Sequence, residues 1–389
     1  MDLSAGRVLP DDASDALLVG RVWRPDVEGP SVVVLRGGEA IDITAAAPTL
    51  SELMNADDVL VAVAKAEGES LGPVEAILAN SAPDTRSEDL PWLLAPADLQ
   101  ALKACGVTFV DSMLERVIEE QAKGDPARAE GLRAEIVAAI GRDLAAVVPG
   151  SPEAMRLKDL LIERGMWSQY LEVGIGPDAE VFTKAPPMSA VGCGAEVGLH
   201  PMSTWNNPEP EVVLVLNARG EIVGATLGND VNLRDVEGRS ALLLGRAKDN
   251  NASCAVGPFI RLLEPGFDLN ALKSTVVALR VEGTDGFLLE GESSLGRISR
   301  DITDLAGQML SANHQYPDGA LLFTGTMFAP TQDRDSSGGG FTHKLGDIVT
   351  ISSPALGALI NRVTTSDRAL PWTFGSGALM RNLAARGVI

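Results

Sequence analysis

The spacing of apolar residues changes twice along this chain, and this change limits the folds that the chain can adopt. Residues 16–65 contain short apolar and β-branched runs, with Gly37-Gly38 as a hairpin-like turn, which is typical of strands. The middle of the chain carries helical spacing and little β-branching, whereas strand-like runs and glycine-rich turns dominate again from residue 170 onwards. We therefore predict an α+β fold in three parts: a β-rich N-terminal domain at 1–95, a helical segment at 96–165 and a larger β-rich domain at 166–389.

Individual elements follow from the same patterns. The predicted helices cover 98–105, 111–123, 126–148 and 152–164, with Asp125-Pro126 as a helix start. The predicted strands of the C-terminal part cover 211–216, 221–227, 275–281, 286–290 and 347–352. We expect Arg219-Gly220 to form a hairpin turn and residues 332–340 to form a surface loop.

Charge and composition exclude some broad classes of partner. The formal net charge is −21 at pH 7, whereas binding to nucleic acid requires clustered Lys and Arg. The sequence has no apolar run long enough for a membrane span, and its acidic N-terminus lacks the features of a signal peptide. Three cysteines without metal-ligand spacing are typical of the reducing cytosol. We predict a cytoplasmic protein that binds neither nucleic acid nor membranes, while a small anionic substrate stays possible beside a bound cation.

Three carboxylates and one lysine mark a candidate metal site. Glu209 and Glu211 stand at i and i+2 on a predicted strand, so their side chains point to the same face. Asp230 ends the next apolar segment and can converge on that face, and Lys248 follows in a turn-like context. Carboxylate oxygens without a thiolate or imidazole suit a hard cation such as Mg²⁺, and Mn²⁺ accepts the same ligands. Their spacing alone is compatible both with a metal site and with a set of solvated surface charges.

Ordered motifs surround this cluster. They are Phe182-Thr183-Lys184-Ala185-Pro186-Pro187, Glu209-Pro210-Glu211, Asn229-Asp230-Val231-Asn232-Leu233-Arg234-Asp235, Lys248, Gly257-Pro258, Thr324-Gly325-Thr326 and Lys344-Leu345-Gly346-Asp347-Ile348-Val349. Together they resemble the fumarylacetoacetate hydrolase family over roughly 170–365, whereas 95–165 matches nothing in it. The resemblance implies a mixed β-roll catalytic domain, Mg²⁺ held by Glu209, Glu211 and Asp230, a 2-oxo acid substrate and a homodimer or homotetramer.

The histidines of this chain bear on which reaction the resemblance implies. Family hydrolases cleave a carbon–carbon bond with water activated by a His–Glu pair, whose His precedes the E-x-E motif. This chain has no histidine before His200, and the segment from Trp167 to Glu180, where the family's lid histidine should lie, contains none. The run from Trp205 to Glu211 and the short gap from Asp230 to Lys248 also resemble the sugar-acid dehydratase branch of the family.

This resemblance implies Mg²⁺-dependent dehydration of 2-keto-3-deoxy-D-xylonate or -arabinonate to 2,5-dioxopentanoate in non-phosphorylative pentose catabolism. A hydrolase of acylpyruvates or 2,4-diketo-3-deoxy sugar acids is the alternative. A third hypothesis is a catalytically silent binding module, against which the intact carboxylates and Lys248 argue.

Roles for individual residues follow from the same resemblance. Lys248 and Glu180 are the candidate catalytic residues, and Lys248 either binds the substrate carboxylate or relays a proton with a lowered pKa. Lys184, Glu196 and Thr326 are the candidate substrate-binding residues. Structural roles stay open for three of these residues: Glu180 as a loop glutamate, and Lys184 and Glu196 as salt-bridge partners. Arg234 and Asp235 are expected to pair with each other or to brace the loop that carries Asp230.

Overall fold

The computed structural model describes residues 1–123, 125, 128–129, 131–132, 147–163, 165–328, 330–336 and 339–389. Its strands are β1 (Leu18–Arg24), β2 (Gly29–Arg36), β3 (Glu39–Asp42), β4 (Glu69–Pro73), β5 (Trp92–Leu94), β6 (Ala101–Gly106), β7 (Glu180–Ala185), β8 (Glu196–Leu199), β9 (Asn206–Asn207), β10 (Pro210–Leu216), β11 (Ile222–Asp230), β12 (Asn232–Leu233), β13 (Cys254–Leu262), β14 (Val276–Glu282), β15 (Leu288–Ser294), β16 (Ala320–Phe323), β17 (Ile348–Ser353) and β18 (Gly357–Thr365). Its α-helices are α1 (Ala5–Val8), α2 (Leu50–Met54), α3 (Val59–Lys65), α4 (Val74–Ala79), α5 (Val110–Ala122), α6 (Pro152–Glu163), α7 (Gln169–Ile175), α8 (Arg234–Glu237), α9 (Leu244–Lys248), α10 (Leu269–Lys273), α11 (Ile302–Met309) and α12 (Ser376–Ala385).

Two sheets contain most of the strands. The larger sheet has the order β4-β3-β2-β1-β13-β11-β10-β16-β6-β7, with β5 paired to β1 as well, and the smaller has the order β15-β14-β17-β18-β8. Most pairs are antiparallel, but β16 with β6 and β18 with β8 are parallel. Leu214 and Leu227 of the larger sheet share one apolar cluster with Leu279 and Ile351 of the smaller sheet. This mixed-sheet architecture confirms the predicted α+β fold class.

Strand β10 lies at the centre of the fold and leads into the candidate site. Val212 and Leu214 belong to the cluster between the two sheets, whereas Val213 and Val215 belong to a second cluster on the opposite face. A strand covered on both faces reads as a continuous apolar run, as this one does. The strands predicted after residue 170 are confirmed, although β15 begins later than predicted. Gly220 has φ of 82° in the predicted turn before β11.

The N-terminal strands extend the larger sheet. Strand β1 pairs with β13, with Leu18 opposite Arg261, so these strands are hydrogen-bonded to those that carry the candidate site. The hairpin turn predicted at Gly37-Gly38 is confirmed, and its φ values of 59° and 83° lie in the left-handed region that glycine adopts without strain. The domain boundaries themselves stay a prediction.

Part of the N-terminal prediction is wrong. Residues 50–65, predicted within a run of strands, contain the helices α2 and α3. The Thr49 side chain accepts a hydrogen bond from the Glu52 backbone N–H, and Asp58 caps α3 in the same way at Val61. Local side-chain caps of this kind stabilise a helix start even in a short apolar segment. A Thr three residues before a Glu is the sequence signal that indicated it.

The helical segment is confirmed in two of its predicted helices. Helices α5 and α6 match the predictions at 111–123 and 152–164, and they pack with α7 in an apolar cluster that includes Met113, Leu161 and Leu171. The predicted helix at 126–148 and the Asp125-Pro126 start lie outside the described residues, apart from a few positions.

One predicted helix of this segment is a strand. Residues 101–106 form β6, which bonds to β16 on one side and β7 on the other. The side chains of Leu102 and Ala104 both pack in the second apolar cluster, as alternate residues of a strand do. In so short an apolar run, the sequence alone does not distinguish this alternation from helical spacing. Hydrogen bonds to two neighbouring strands therefore decide the conformation here.

The loop predicted at 332–340 lies at the surface. Its described residues contain no helix or strand, and several are exposed.

No helix within the described ranges combines the length and the hydropathy that a bilayer span requires.

Candidate metal centre and active site

Strand register brings the three predicted metal ligands together. The backbone N–H of Asp230 donates to the carbonyl of Glu209 at 3.1 Å, so these two residues face each other at the ends of β10 and β11. Glu211 lies opposite Gly228, two residues before Asp230, and its side chain therefore points to the same face. Ligand oxygens of Glu209, Glu211 and Asp230 lie within 4.8 Å of one another, and all three side chains are buried.

Two lysines neutralise part of this charge. Nζ of Lys248, at the end of α9, donates to Glu209 and lies 3.0 Å from Oδ2 of Asp230, while Nζ of Lys184 on β7 lies 2.9 Å from Oδ1 of Asp230. Burial alone would raise the pKa of Asp230, but the two ammonium groups hold it below its usual value. Burial alone would lower the pKa of Lys248, but Asp230 and Glu209 outweigh it and raise the pKa. Without a bound metal Lys248 is therefore a cation, and the lowered pKa considered for a proton relay beside the metal stays a prediction.

Glu211 is the ligand that lacks a cation. Its Oε2 accepts the backbone N–H of Gly325 at 2.6 Å, but none of the ion pairs formed by the described residues includes it. Burial, and then the neighbouring carboxylates of Asp230 and Glu209, raise its pKa well above the usual value. A buried carboxylate without a cationic partner fits a site that binds a divalent cation through oxygen ligands.

A second layer of charged residues surrounds Glu209. Arg116 of α5 donates to Glu209 and lies 2.7 Å from Glu119 and 3.0 Å from Glu237. Glu119 in turn lies 3.2 Å from the guanidinium of Arg234. Sequence reasoning missed Arg116, Glu119 and Glu237. A signal was present, because Arg116 falls on the apolar stripe of α5 between Met113 and Val117, where an arginine requires a buried partner.

Glu180, the predicted catalytic carboxyl group, lies at the edge of the same site. It begins β7 opposite Gly106, and a Cβ atom added at Gly106 would come within 1.9 Å of its Oε2. Any larger residue at Gly106 would therefore move the Glu180 carboxyl group from this position. Burial, and then the charge of Glu237, raise the pKa of Glu180 to about 7. Such a group can take up and release a proton at neutral pH.

The charged groups line one small cavity. Its wall includes Glu180, Glu209, Asp230, Lys248 and Thr326, together with Arg116, Ser112 and Glu237. The cavity measures about 10 Å³, which is room for a single water at most, so a substrate can bind there only once the cavity widens. None of its described lining residues is a histidine. The structure therefore places Glu180, Lys248 and Thr326 together beside the candidate metal ligands.

Two of the predicted substrate-binding residues lie elsewhere. Lys184 is fully buried against Asp230 and the carbonyl of Lys248 and does not line the cavity, because its ammonium group is used in bracing the carboxylate. Glu196 is at the start of β8, opposite Arg362 of β18, and lines a different groove beside Trp92. A strand register that sequence spacing does not reveal places it away from the site.

The predicted pairing of Arg234 with Asp235 is also wrong. Asp235 accepts hydrogen bonds from Ser203 Oγ at 2.7 Å and from the Thr204 backbone N–H at 2.8 Å. Consecutive residues at the start of α8 point in different directions, so Arg234 reaches Glu119 instead. The helix that follows the Asp230 loop is nevertheless braced on two sides.

The sequence of this region matches a known family. Residues 168–364, about half of the chain, match the family description "Fumarylacetoacetate (FAA) hydrolase C-terminal". The chain therefore belongs to the fumarylacetoacetate hydrolase family. Helix α5 and its Arg116 lie before the matched residues.

Two curated relatives are similar to the chain over part of their length. A probable 2-keto-3-deoxyxylonate dehydratase from Haloferax volcanii is 33% identical over 203 residues, which cover 52% of this chain and 66% of the relative. A 2-dehydro-3-deoxy-D-arabinonate dehydratase from Saccharolobus solfataricus is 32% identical over 184 residues, covering 47% of this chain and 58% of the relative. In both cases the chain matches less than two thirds of the relative.

Solved structures share the fold. A 2-keto-3-deoxy-D-arabinonate dehydratase complexed with magnesium and 2,5-dioxopentanoate superposes with a TM-score of 0.60 at 21% identity, covering 90% of this chain and 99% of the other. A fumarylacetoacetate hydrolase from Exiguobacterium antarcticum gives a TM-score of 0.55 at 18% identity, covering 90% of this chain and all of the other. Both likenesses confirm the predicted fold type.

Proposed function

We propose that this protein is a Mg²⁺-dependent dehydratase that converts a 2-keto-3-deoxy sugar acid, 2-keto-3-deoxy-D-xylonate or -arabinonate, to 2,5-dioxopentanoate. The observation that carries the proposal is one cavity that joins Glu180 and Lys248 to the buried carboxylates Glu209 and Asp230, with no histidine among its described lining residues. The names of the two curated relatives support the same substrate class.

The metal site of the proposal fits the residues present. Glu209, Glu211 and Asp230 would hold Mg²⁺ (or Mn²⁺) through carboxylate oxygens, and Glu211 is the buried carboxylate that lacks another cation. When bound, the ion would polarise the 2-keto group and so make the C3 protons more acidic. The magnesium in the related arabinonate dehydratase structure supports this assignment.

The side chains of the cavity would carry out the remaining steps. Lys248 keeps its proton and binds the substrate carboxylate, as an ammonium group does. Glu180, with its pKa of about 7, takes a proton from C3 and returns one to the leaving C4 hydroxyl. The elimination breaks the C3–H and C4–O bonds, forms a C3=C4 double bond and releases water. The 5-hydroxy-2-oxo-3-enoate so formed then tautomerises to 2,5-dioxopentanoate: C5 loses one C–H proton and its hydroxyl proton, and C3 and C4 each gain one proton. Thr326 lines the cavity, and its hydroxyl donates to the carbonyl of Phe328 at 3.0 Å; it would redirect this hydrogen bond to the substrate.

The runner-up is a hydrolase of acylpyruvates or 2,4-diketo-3-deoxy sugar acids. It would use the same ligands, with Glu180 activating water in place of a His–Glu pair. The fold is shared with a fumarylacetoacetate hydrolase, so the architecture suits both reactions. Cytoplasmic location and a homodimer or homotetramer also stay predictions.

One assay distinguishes the two reactions. Purified protein with Mg²⁺ and 2-keto-3-deoxy-D-xylonate should yield a semialdehyde, measured by a coupled aldehyde dehydrogenase. We expect E180Q to lower the rate by about 100-fold or more, which is typical for loss of a general acid–base. The variant E292Q, at an exposed glutamate on β15, is the matched control and should keep its activity. Acid release from an acylpyruvate without any semialdehyde would favour the hydrolase.

A further inference from the structure

Helix α5 extends into the site from outside the residues that match the family. It contributes Arg116, whose side chain is buried and reaches Glu209, the residue just before β10. The two residues are separated by 93 positions in the chain. The apolar face of α5, with Met113 and Val117 beside Arg116, packs against α6 and α7 and so fixes the position of this arginine.

The guanidinium of Arg116 contacts three carboxylates at once. It donates to Oε1 of Glu209 through one Nη atom, and its other Nη lies 2.7 Å from Glu119 and 3.0 Å from Glu237. These partners lie just before β10, on α5 itself and on α8. A planar guanidinium can bond in several fixed directions, whereas an ammonium group is a point charge.

This contact fixes the orientation of a proposed metal ligand. Oε1 of Glu209 is held by Arg116 and Oε2 by Lys248, so the plane of the carboxylate is set from both sides. Groups that bond to a ligating carboxylate orient it and tune its affinity for the metal. Without Arg116, Oε1 would be buried beside Glu237, which would lose its cation as well.

The contacts of Arg116 are themselves braced. Glu119 also pairs with Arg234, whose guanidinium donates to the carbonyl of Pro330 at 3.2 Å and lies over the Trp205 ring. Because Arg234 keeps Glu119 in place, a change at Arg116 acts mainly on Glu209 and Glu237.

We infer that Arg116 is a positioning residue that orients Glu209 for metal binding, and that the helical segment thereby forms part of the metal site. This inference rests on the Mg²⁺ site of the proposed function. It assigns to the helical segment a role in the chemistry, in addition to packing.

The test is Mg²⁺ binding to the metal-free full-length protein, measured by titration calorimetry with the metal alone. We expect R116Q to raise the Kd for Mg²⁺ by about 10-fold or more, as for other residues that orient metal ligands. R116K keeps the charge but loses the planar fork, so its Kd should lie between those of the wild type and R116Q. R116K also keeps the test decisive if R116Q fails to fold.

Arg300 provides the matched control. It is also a buried arginine, and it anchors α7, which packs against α5, by donating to the carbonyls of Val173 and Gly176; among the described residues it contacts no proposed ligand. R300Q should lower the unfolding temperature and leave the Kd for Mg²⁺ within twofold of the wild type. An equal loss of Mg²⁺ binding in R300Q would show a general structural effect and overturn the inference.

Two other outcomes separate the inference from the function beneath it. Unchanged or tighter Mg²⁺ binding by R116Q and R116K, beside normal binding by the wild type, would refute the positioning role alone. Absence of Mg²⁺ binding by the wild type would refute the metal site, and the inference with it.

Discussion

Nζ of Lys184 lies 2.9 Å from Oδ1 of Asp230, and both side chains are buried almost completely. The same ammonium group donates to the carbonyl of Lys248, so Lys184 joins β7, β11 and α9 behind the proposed metal ligands. Its position explains why the lysine is not available to a substrate in the cavity. Its contribution to the free energy of unfolding can be measured directly.

The first prediction concerns this ion pair. Lys248 still pairs with Oδ2 of Asp230 in K184M, but the buried Oδ1 loses its cation, so the variant should lower the free energy of unfolding by about 3 kcal/mol. Urea unfolding measures the change. K273M is the control, because Lys273 forms a pair with Asp301 at 2.6 Å in which both side chains are exposed, and its loss should cost about 1 kcal/mol or less. Equal effects of the two variants would contradict the buried role of Lys184.

The second prediction concerns Glu211 and the metal. Because burial and two neighbouring carboxylates raise its pKa, glutamine resembles the neutral form of this side chain in the metal-free protein. E211Q should therefore unfold no more easily than the wild type without metal. Mg²⁺ at 100 times its Kd should stabilise the wild type by about 2.7 kcal/mol and leave E211Q unchanged. Thermal unfolding with and without Mg²⁺ tests this, and Mg²⁺-dependent stabilisation of E211Q would exclude Glu211 as a ligand.

The third prediction concerns the pH dependence of stability at Glu180. Its pKa is about 7 in the folded protein and 4.5 in the reference state, so the folded state holds the proton more tightly. Between these two values the unfolded chain releases the proton first, and the contribution of Glu180 to stability falls as pH rises. The wild type should therefore lose stability relative to E180Q as the pH rises from 4.5 to 7. A constant difference would show that the pKa of Glu180 is not raised.

The fourth prediction concerns the glycine opposite Glu211. A Cβ atom at Gly228 would lie 2.3 Å from the Phe323 ring and 2.6 Å from a Val213 methyl. G228A should therefore lower the free energy of unfolding by about 1–3 kcal/mol through overpacking. In the control G307A, within α11, the added methyl meets no atom within 4 Å, and alanine should stabilise the helix by about 0.5–1 kcal/mol. Denaturant unfolding should show changes of opposite sign.

Several features of the fold and the site could be predicted from the sequence because they depend on neighbouring residues. The i, i+2 spacing of Glu209 and Glu211 gives a shared face in any strand, and the apolar run after them gives a buried strand. The helix predicted at 98–105 was wrong, because this apolar run is short. Residues 101–106 form strand β6 only because they pair with β7 and β16. Lys184 lies within one of the ordered motifs and Glu196 lies shortly after it, so both were expected at the site. The burial of Lys184 on β7 and the register of β8 at Glu196 decided where each side chain lies.

The sequence by itself determined most of the alternation of strands and helices, the carboxylate pair at the start of β10 and the absence of a histidine before His200, since each is a property of composition or short-range spacing. Only the tertiary structure decided that Asp230 faces Glu209, that Glu211 has no cationic partner among the described residues, and that Arg116, 93 positions before Glu209, holds this proposed metal ligand. Pairing between distant charges depends on which side chains folding buries together. Burial makes an unpaired charge costly, so the packed core selects the partners that local spacing leaves open.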